Sequence, residues 1–233
     1  MSVRGAVRRH RDELGEALAV YRDPPGPRTL VSFGLAFLIV CALSLINPPE
    51  SPVMIVTLFA AYAVMAGLPL ILMGSETLVV CERGLILGAT ALGLRPYVIR
   101  FDQMTPGGVA PLRAGRWAAR HLGLPLTGSS VRPSWWTDRA VYLVGPSAAE
   151  ARRHRGTFAR LQDLPPLTVD QRWVWVAGVN RDPREVVGRI AQAAQAAGCE
   201  ALARASWAAR EPVRVLTKDP REAAERLPGL ERR

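Results

Sequence analysis

The sequence predicts a membrane-anchored α+β protein, in which a two-helix transmembrane hairpin near the N-terminus precedes a bent antiparallel sheet closed by a C-terminal helix. Three observations predict this fold class. Two long uncharged apolar stretches lie in the first third of the chain, short strand-like runs follow them, and one well-capped amphipathic helix comes later. The length of 233 residues fits an anchor and one domain of ordinary size.

The first part of the chain is a basic arm, residues 1–28, expected on the cytoplasmic side. Its apolar residues recur at steps of four and seven with arginines between them, at Val3, Val7, Leu14, Leu18 and Tyr21. This spacing favours an amphipathic helix over residues 3–21 lying on the membrane surface. The alternative is a solvated, partly ordered arm whose arginines only set the topology. The Pro-rich residues 23–27 end either structure.

The transmembrane hairpin is predicted over residues 29–74. Residues 29–46 and 53–73 contain no charged residue, and 18 helical residues span roughly 27 Å, close to the hydrocarbon thickness of a bilayer. A cleaved signal peptide is the alternative for the first stretch, but a tight turn leads from it straight into the second. Arginines precede the first helix and follow the second, and the turn has no Lys or Arg, so both termini are expected to be cytoplasmic at the cell membrane.

Strand-like runs separated by turn residues follow the second apolar stretch. We expect strands at 76–81, 85–89, 97–101, 140–144 and 173–176, with a long insertion at about 103–138. The clearest helix covers 182–197, with Asp182 as its N-cap, Pro183 at the first helical position and Glu185 completing a capping box. Residues 199–233 form a C-terminal extension that repeats the order of strand and Asp-Pro-Arg-Glu helix start, which is weak ground for a true repeat.

This order of elements, with a turn through Glu82-Arg83-Gly84-Leu85 and the run Ile99-Arg100-Phe101-Asp102-Gln103-Met104, resembles a known family. The family comprises bacterial membrane proteins that carry a pleckstrin-homology-like domain after a helical hairpin. The resemblance implies a partly open barrel plugged by the C-terminal helix, over about residues 75–198. Arg100 and Phe101 stand where the family often has Pro and Trp.

Composition and motifs argue against catalysis. The three histidines have no ligand or nucleophile at useful spacing, and neither a phosphate-binding glycine loop nor paired metal ligands occur. Three scattered cysteines, Cys41, Cys81 and Cys199, suit a reducing compartment rather than a disulfide framework. We therefore expect no catalytic, cofactor-binding or metal-binding residues and no cofactor.

The net charge of +10 comes almost wholly from arginine, and Lys218 is the only lysine. Arginine and tryptophan interleave in the insertion, a pairing that suits a lipid headgroup interface. The residues expected to contact the membrane surface or a partner are Arg113, Arg116, Trp117, Arg120, Arg132, Trp135 and Trp136. The alternative is that the tryptophans fill the domain core and the arginines form a solvated face. Nucleic acid is not an expected partner.

The sequence supports three functional hypotheses. The first is a non-enzymatic membrane-tethered module that binds a protein partner or anionic lipid headgroups. The second is an accessory or structural subunit of a larger membrane complex, in which the hairpin meets partner helices through its small residues Gly34, Ala36, Ala60, Ala61 and Ala63. The third, an enzyme, requires a site assembled by the fold from residues that the sequence does not pair.

Overall fold

The computed structural model is an α+β chain with two β-sheets, and its longer helices lie between the first two strands and near the C-terminus. It describes residues 3–46, 52–90, 96–113, 136–146, 148–151, 168–169, 172–209 and 211–214. The sheets pack on either side of one main hydrophobic core.

The first sheet contains four antiparallel strands in the order β1-β2-β3-β4. They are β1 (Ala17–Arg22), β2 (Glu76–Cys81), β3 (Gly84–Ala89) and β4 (Tyr97–Arg100). The central strands β2 and β3 are buried on both faces, which explains the apolar runs at 78–81 and 84–89. Strand β1 pairs with β2, although two long helices separate the two strands along the chain, and Arg22 stands opposite Thr77.

The two long helices, α3 (Pro27–Ile46) and α4 (Pro52–Gly74), form what we call the helical pair. They contact each other through aromatic side chains: the Tyr62 hydroxyl donates to the Phe33 carbonyl oxygen at 2.6 Å, and the rings of Phe37 and Tyr62 have centroids 5.4 Å apart. Both helices are uncharged apart from Arg28 in the first turn of α3.

One helical segment in the described part of the chain, Pro27–Ser44, is long and apolar enough to cross a membrane. Val53–Leu68 of α4 is also apolar but is shorter than the 18 residues of the first segment. The side chains of the first segment are not packed inside the protein.

The second sheet has five strands in the order β7-β8-β6-β5-β9. They are β5 (Val109–Arg113), β6 (Arg139–Gly145), β7 (Thr168–Val169), β8 (Arg172–Gly178) and β9 (Val213–Arg214). All pairs are antiparallel except β5 with β9. A short 3-10 turn, Phe101–Gln103, follows the first sheet, and a four-residue helix, α5 (Ala148–Ala151), follows β6.

The main core lies between the sheets and is covered by helix α6 (Pro183–Ala196), on which α7 (Glu200–Ala208) packs. Helix α6 begins as expected, because the Asp182 carboxylate accepts from the Arg184 backbone N–H at 3.0 Å. Trp175 is fully buried, and its indole N–H donates to the Pro146 carbonyl oxygen at 3.0 Å. A buried indole needs such a partner.

The outer face of the first sheet is covered by the N-terminal helices α1 (Val3–Arg9) and α2 (Arg11–Leu14). Leu14 is fully buried in a second, smaller core together with Val79, Cys81, Ile86 and Val98. Strand alternation places these side chains on the face opposite the main core. The N-terminal segment is therefore part of the folded domain.

Two predicted boundaries differ from the structure. The helix expected over residues 3–21 ends at Leu14, and residues 17–22 form a strand because β2 provides a hydrogen-bonded neighbour there. The domain expected over 75–198 also includes β1, and Leu202 and Ala203 of α7 belong to the main core. Most of the insertion at 103–138, and the second helix expected in the C-terminal extension, lie outside the described residues.

Candidate functional site

The segment that leads from β1 into the helical pair is bonded to the second sheet. We call this contact the junction and define it by Asp23, Trp136, Thr137, Gly178 and Asn180. The Trp136 indole N–H donates to the Asp23 carbonyl oxygen at 2.8 Å, and the Thr137 hydroxyl donates to the Asp23 carboxylate. The Asn180 backbone N–H donates to the carbonyl oxygen of Arg22 at 2.8 Å. The start of α3 is thereby fixed relative to the domain.

The carboxyl group of Asp23 is the titratable group of the junction. Burial raises its pKa above the ordinary value of 3.8, and the nearby Asp138 raises it further. The hydrogen bond from Thr137 acts in the opposite direction but does not cancel the effect of burial. Asp23 therefore takes up a proton more readily in the folded protein than in the unfolded chain.

A glycine makes this close contact sterically feasible. A Cβ atom placed on Gly178 would lie 2.5 Å from Asp23 Oδ2 and 2.9 Å from Asp23 Cβ. Any side chain at this position would push Asp23 away from the second sheet.

Three arginines share one register position at the end of the second sheet next to the junction. Arg113 stands opposite Arg139 on one side and opposite Arg214 on the other. Arg113 and Arg139 are exposed and form no ion pair within the described residues. Like charges directly opposite one another destabilise a sheet. Within the described residues, Arg113 and Arg139 therefore form a positively charged surface.

A cleft of about 460 Å³ lies where α4 ends and the first sheet begins. Its polar wall includes Arg22, Ser75 and Thr90, and its apolar wall includes Leu70 and Ile71. The Thr90 hydroxyl and backbone N–H both donate to the Ser75 carbonyl oxygen, at 3.3 Å each. This cleft is thus apolar towards the helical pair and polar towards the sheet.

Two of the predicted contact residues can be placed. Arg113 is exposed at the end of β5, and Trp136 is half-buried with its N–H used inside the protein, so its role is at least partly structural. The other five, Arg116, Trp117, Arg120, Arg132 and Trp135, lie outside the described residues. The sequence analysis did not identify Asp23 or Gly178. In the sequence, Asp23 indicates only the start of the Pro-rich segment 23–27, and its contact partners are distant along the chain.

No group of three or more His, Cys, Asp or Glu side chains in the described residues could hold a metal ion. Cys81 is buried, and burial raises the pKa of its thiol to about 12, so it is a poor nucleophile in the folded state.

No family model, no curated protein and no solved structure matches this chain.

Proposed function

We propose that this chain is a non-enzymatic, membrane-tethered binding module. In this proposal the helical pair crosses the cell membrane as a hairpin, and a pleckstrin-homology-like domain lies on the cytoplasmic face, where it contacts anionic lipid headgroups. The two sheets around one core, with α6 covering it, are the features that support a domain of this kind.

The pairing of β1 with β2 is the observation on which this proposal mainly rests. Arg22 stands opposite Thr77, so the chain enters and leaves the helical pair at neighbouring positions of one sheet. Two membrane crossings return the chain to the side on which it started, whereas a single crossing would separate β1 from β2 by the thickness of the bilayer. Strand pairing therefore favours an even number of crossings.

The surface and length of the helical pair support insertion. Helix α3 has 20 residues, which span about 30 Å, and α4 has 23. Large apolar side chains point outward, with Leu38 exposed by 62% and Met65 by 77%. An apolar surface of this extent marks contact with a membrane or a partner.

Charge supports the orientation and the headgroup contact. Arg22 and Arg28 flank the start of α3, Arg83 follows α4, and residues 47–51 between the helices contain no Lys or Arg. Such an asymmetry is typical of cytoplasmic flanks. The arginine row at Arg113 and Arg139 lies next to the junction, and an anionic surface would offset the repulsion between these two side chains.

Cysteine accessibility in intact cells tests the topology. We expect Ser51→Cys, between the two helices, to react with a membrane-impermeant maleimide added outside. Arg189→Cys, on α6, should react only after permeabilisation. The background carries Cys41→Ser and Cys199→Ser and keeps the buried Cys81. Labelling of Arg189→Cys in intact cells would refute the cytoplasmic orientation, and removal of the chain from membranes by alkaline carbonate would refute the hairpin.

A second candidate function is that of an accessory subunit of a membrane complex. Within the described residues, a Cβ atom placed on Gly34 or Gly67 would meet no atom within 4 Å other than those of its own helix backbone and chain neighbours, which leaves room for another helix. Copurification from native membranes in mild detergent tests this function, which predicts a stoichiometric partner that Gly34→Leu releases. A Gly34→Leu variant that retains its partner would argue against it.

A further inference from the structure

We propose that the cleft at the end of α4 binds one anionic phospholipid, with its phosphate at Arg22 and an acyl chain along Leu70 and Ile71. The proposal rests on membrane insertion of the helical pair, and it assigns to the proposed headgroup contact one defined site. The occupant follows from the position of the cleft, because its apolar lining includes Leu70 and Ile71 of the apolar helix, whereas its polar lining of Arg22, Ser75 and Thr90 lies at the end of the first sheet.

The cleft has the size and chemistry of a ligand site. Its volume of about 460 Å³ lies within the range of roughly 300–1,000 Å³ that small-molecule sites occupy. Helix α4 ends at Gly74, so Leu70 and Ile71 lie in its last turns, where an inserted helix would reach the headgroup region. A lipid placed there meets apolar and polar walls in the same order as its own acyl and phosphate groups.

Arg22 is well placed to supply the phosphate contact. Its backbone is held by pairing with Thr77 and by the hydrogen bond from Asn180, while its side chain is exposed and forms no ion pair in the described part of the chain. A guanidinium on a fixed backbone binds a phosphate through paired hydrogen bonds. The positive charge is therefore available to a ligand.

The acidic side chains nearest in sequence point away from the cleft. Strand alternation places Arg22 on the outer face of the first sheet, together with Ser75, whereas Glu76 falls on the opposite face. Asp23 is directed towards Thr137 and Gly178 of the junction. The cleft is thus positive on its polar side, which favours an anionic lipid over a zwitterionic one.

Native mass spectrometry of the full chain in a neutral detergent tests the site. Phosphatidylglycerol and phosphatidylcholine are titrated separately. We expect one phosphatidylglycerol to bind per chain about tenfold more tightly than phosphatidylcholine. Arg22→Gln should lose this roughly tenfold preference, the scale of one charge-assisted contact. Arg28→Gln, which removes the same charge from the first turn of α3 but outside the cleft, should stay within about twofold of wild type.

Three results would overturn the lipid site. If Arg22→Gln and Arg28→Gln lost the preference for phosphatidylglycerol equally, the preference would come from diffuse surface charge rather than from the cleft. Equal binding of the two lipids would remove the anionic preference. Displacement of the lipid by soluble glycerol 3-phosphate at equal concentration would indicate a site for a free phosphate ester. Carbonate extraction of the same variants separates the two proposals, since a chain that resists extraction but binds no lipid contradicts only the lipid site.

Discussion

Gly178 allows the segment before the helical pair to lie directly against the second sheet. We expect Gly178→Ala to destabilise the protein by about 1–3 kcal/mol, because the new Cβ would overlap Asp23, including its Cβ at 2.9 Å. Thermal unfolding in detergent measures the effect. In Gly188→Ala the new Cβ meets the Trp207 ring at an ordinary 3.6 Å, and this matched control should be neutral or stabilising by up to about 1 kcal/mol. Equal destabilisation by both variants would contradict the close contact.

Asp23 gives the junction a pH dependence with a definite sign. Because its pKa is raised above 3.8 in the folded state, its ionised form lowers stability at neutral pH, and stability is regained as the pH falls through the raised pKa. Asp23→Asn keeps an oxygen that can accept from Thr137 but removes this titration. As the pH is lowered from about 7 to 4, we expect the melting temperature of wild type to increase relative to that of Asp23→Asn. Parallel profiles would show that Asp23 does not titrate in this way.

At the scale of elements, helix α2 protects the outer face of the first sheet. Leu14→Ala should cost about 2–5 kcal/mol, because Leu14 is fully buried against Cys81 and its neighbours. Loosening this contact should also speed the reaction of Cys81 with a maleimide, measured with Cys41 and Cys199 replaced by serine. Leu18→Ala removes the same atoms from a side chain that is 55% exposed, so its labelling rate should match that of wild type. Fast labelling of Cys81 in the wild-type protein would contradict its burial.

Elements with local signals were predicted well from the sequence. Helix α6 is set by Asp182 and Pro183 at its start and by its own apolar stripe, and the structure has it at Pro183–Ala196. Strands β2 and β3 follow from apolar runs on either side of the turn at Glu82 and Arg83. In each case the information lies within a few residues, so distant parts of the chain are not needed.

Strand β1 was not predicted, for a physical reason. Val3, Val7, Leu14, Leu18 and Tyr21 satisfy a helical spacing, and the partner that makes residues 17–22 a strand lies on the other side of the helical pair. Burial alternates along the strand, with Ala19 and Tyr21 packed on the main core and Leu18 and Val20 exposed. The exposed positions are apolar, however, so the sequence lacks the apolar–polar alternation of a typical half-buried strand. Tertiary pairing decides its structure. The candidate site could not be predicted for a related reason, since Arg22 meets its neighbours only through this pairing and Asp23 only through its contacts with the second sheet.

For the whole molecule, the position of β1 predicts which fragments fold. A fragment that starts at residue 75 lacks β1, α1 and α2, so one edge and one face of the first sheet lose their cover, and we expect it to aggregate. A chain in which a four-residue Gly/Ser linker joins Pro25 to Glu76 keeps these elements. The linker needs to span only neighbouring strands, so this chain should be soluble and folded. Circular dichroism and size-exclusion chromatography distinguish the two outcomes, and a folded, monodisperse 75–233 fragment would contradict the role of β1.

The same pairing sets an order of events during synthesis. Strand β1 leaves the ribosome before the helical pair, and its partner β2 leaves after it. The first sheet therefore cannot form completely until both helices have been synthesised. In the proposed arrangement the helices enter the bilayer between the synthesis of β1 and that of β2. A chain whose second helix fails to insert would leave β2 on the wrong side of the membrane, with Val79 and Cys81 lacking the cover of Leu14. The domain would then fold only in chains whose two helices have both inserted. Chains in which insertion failed would expose an unpaired strand edge, which quality-control proteases could recognise.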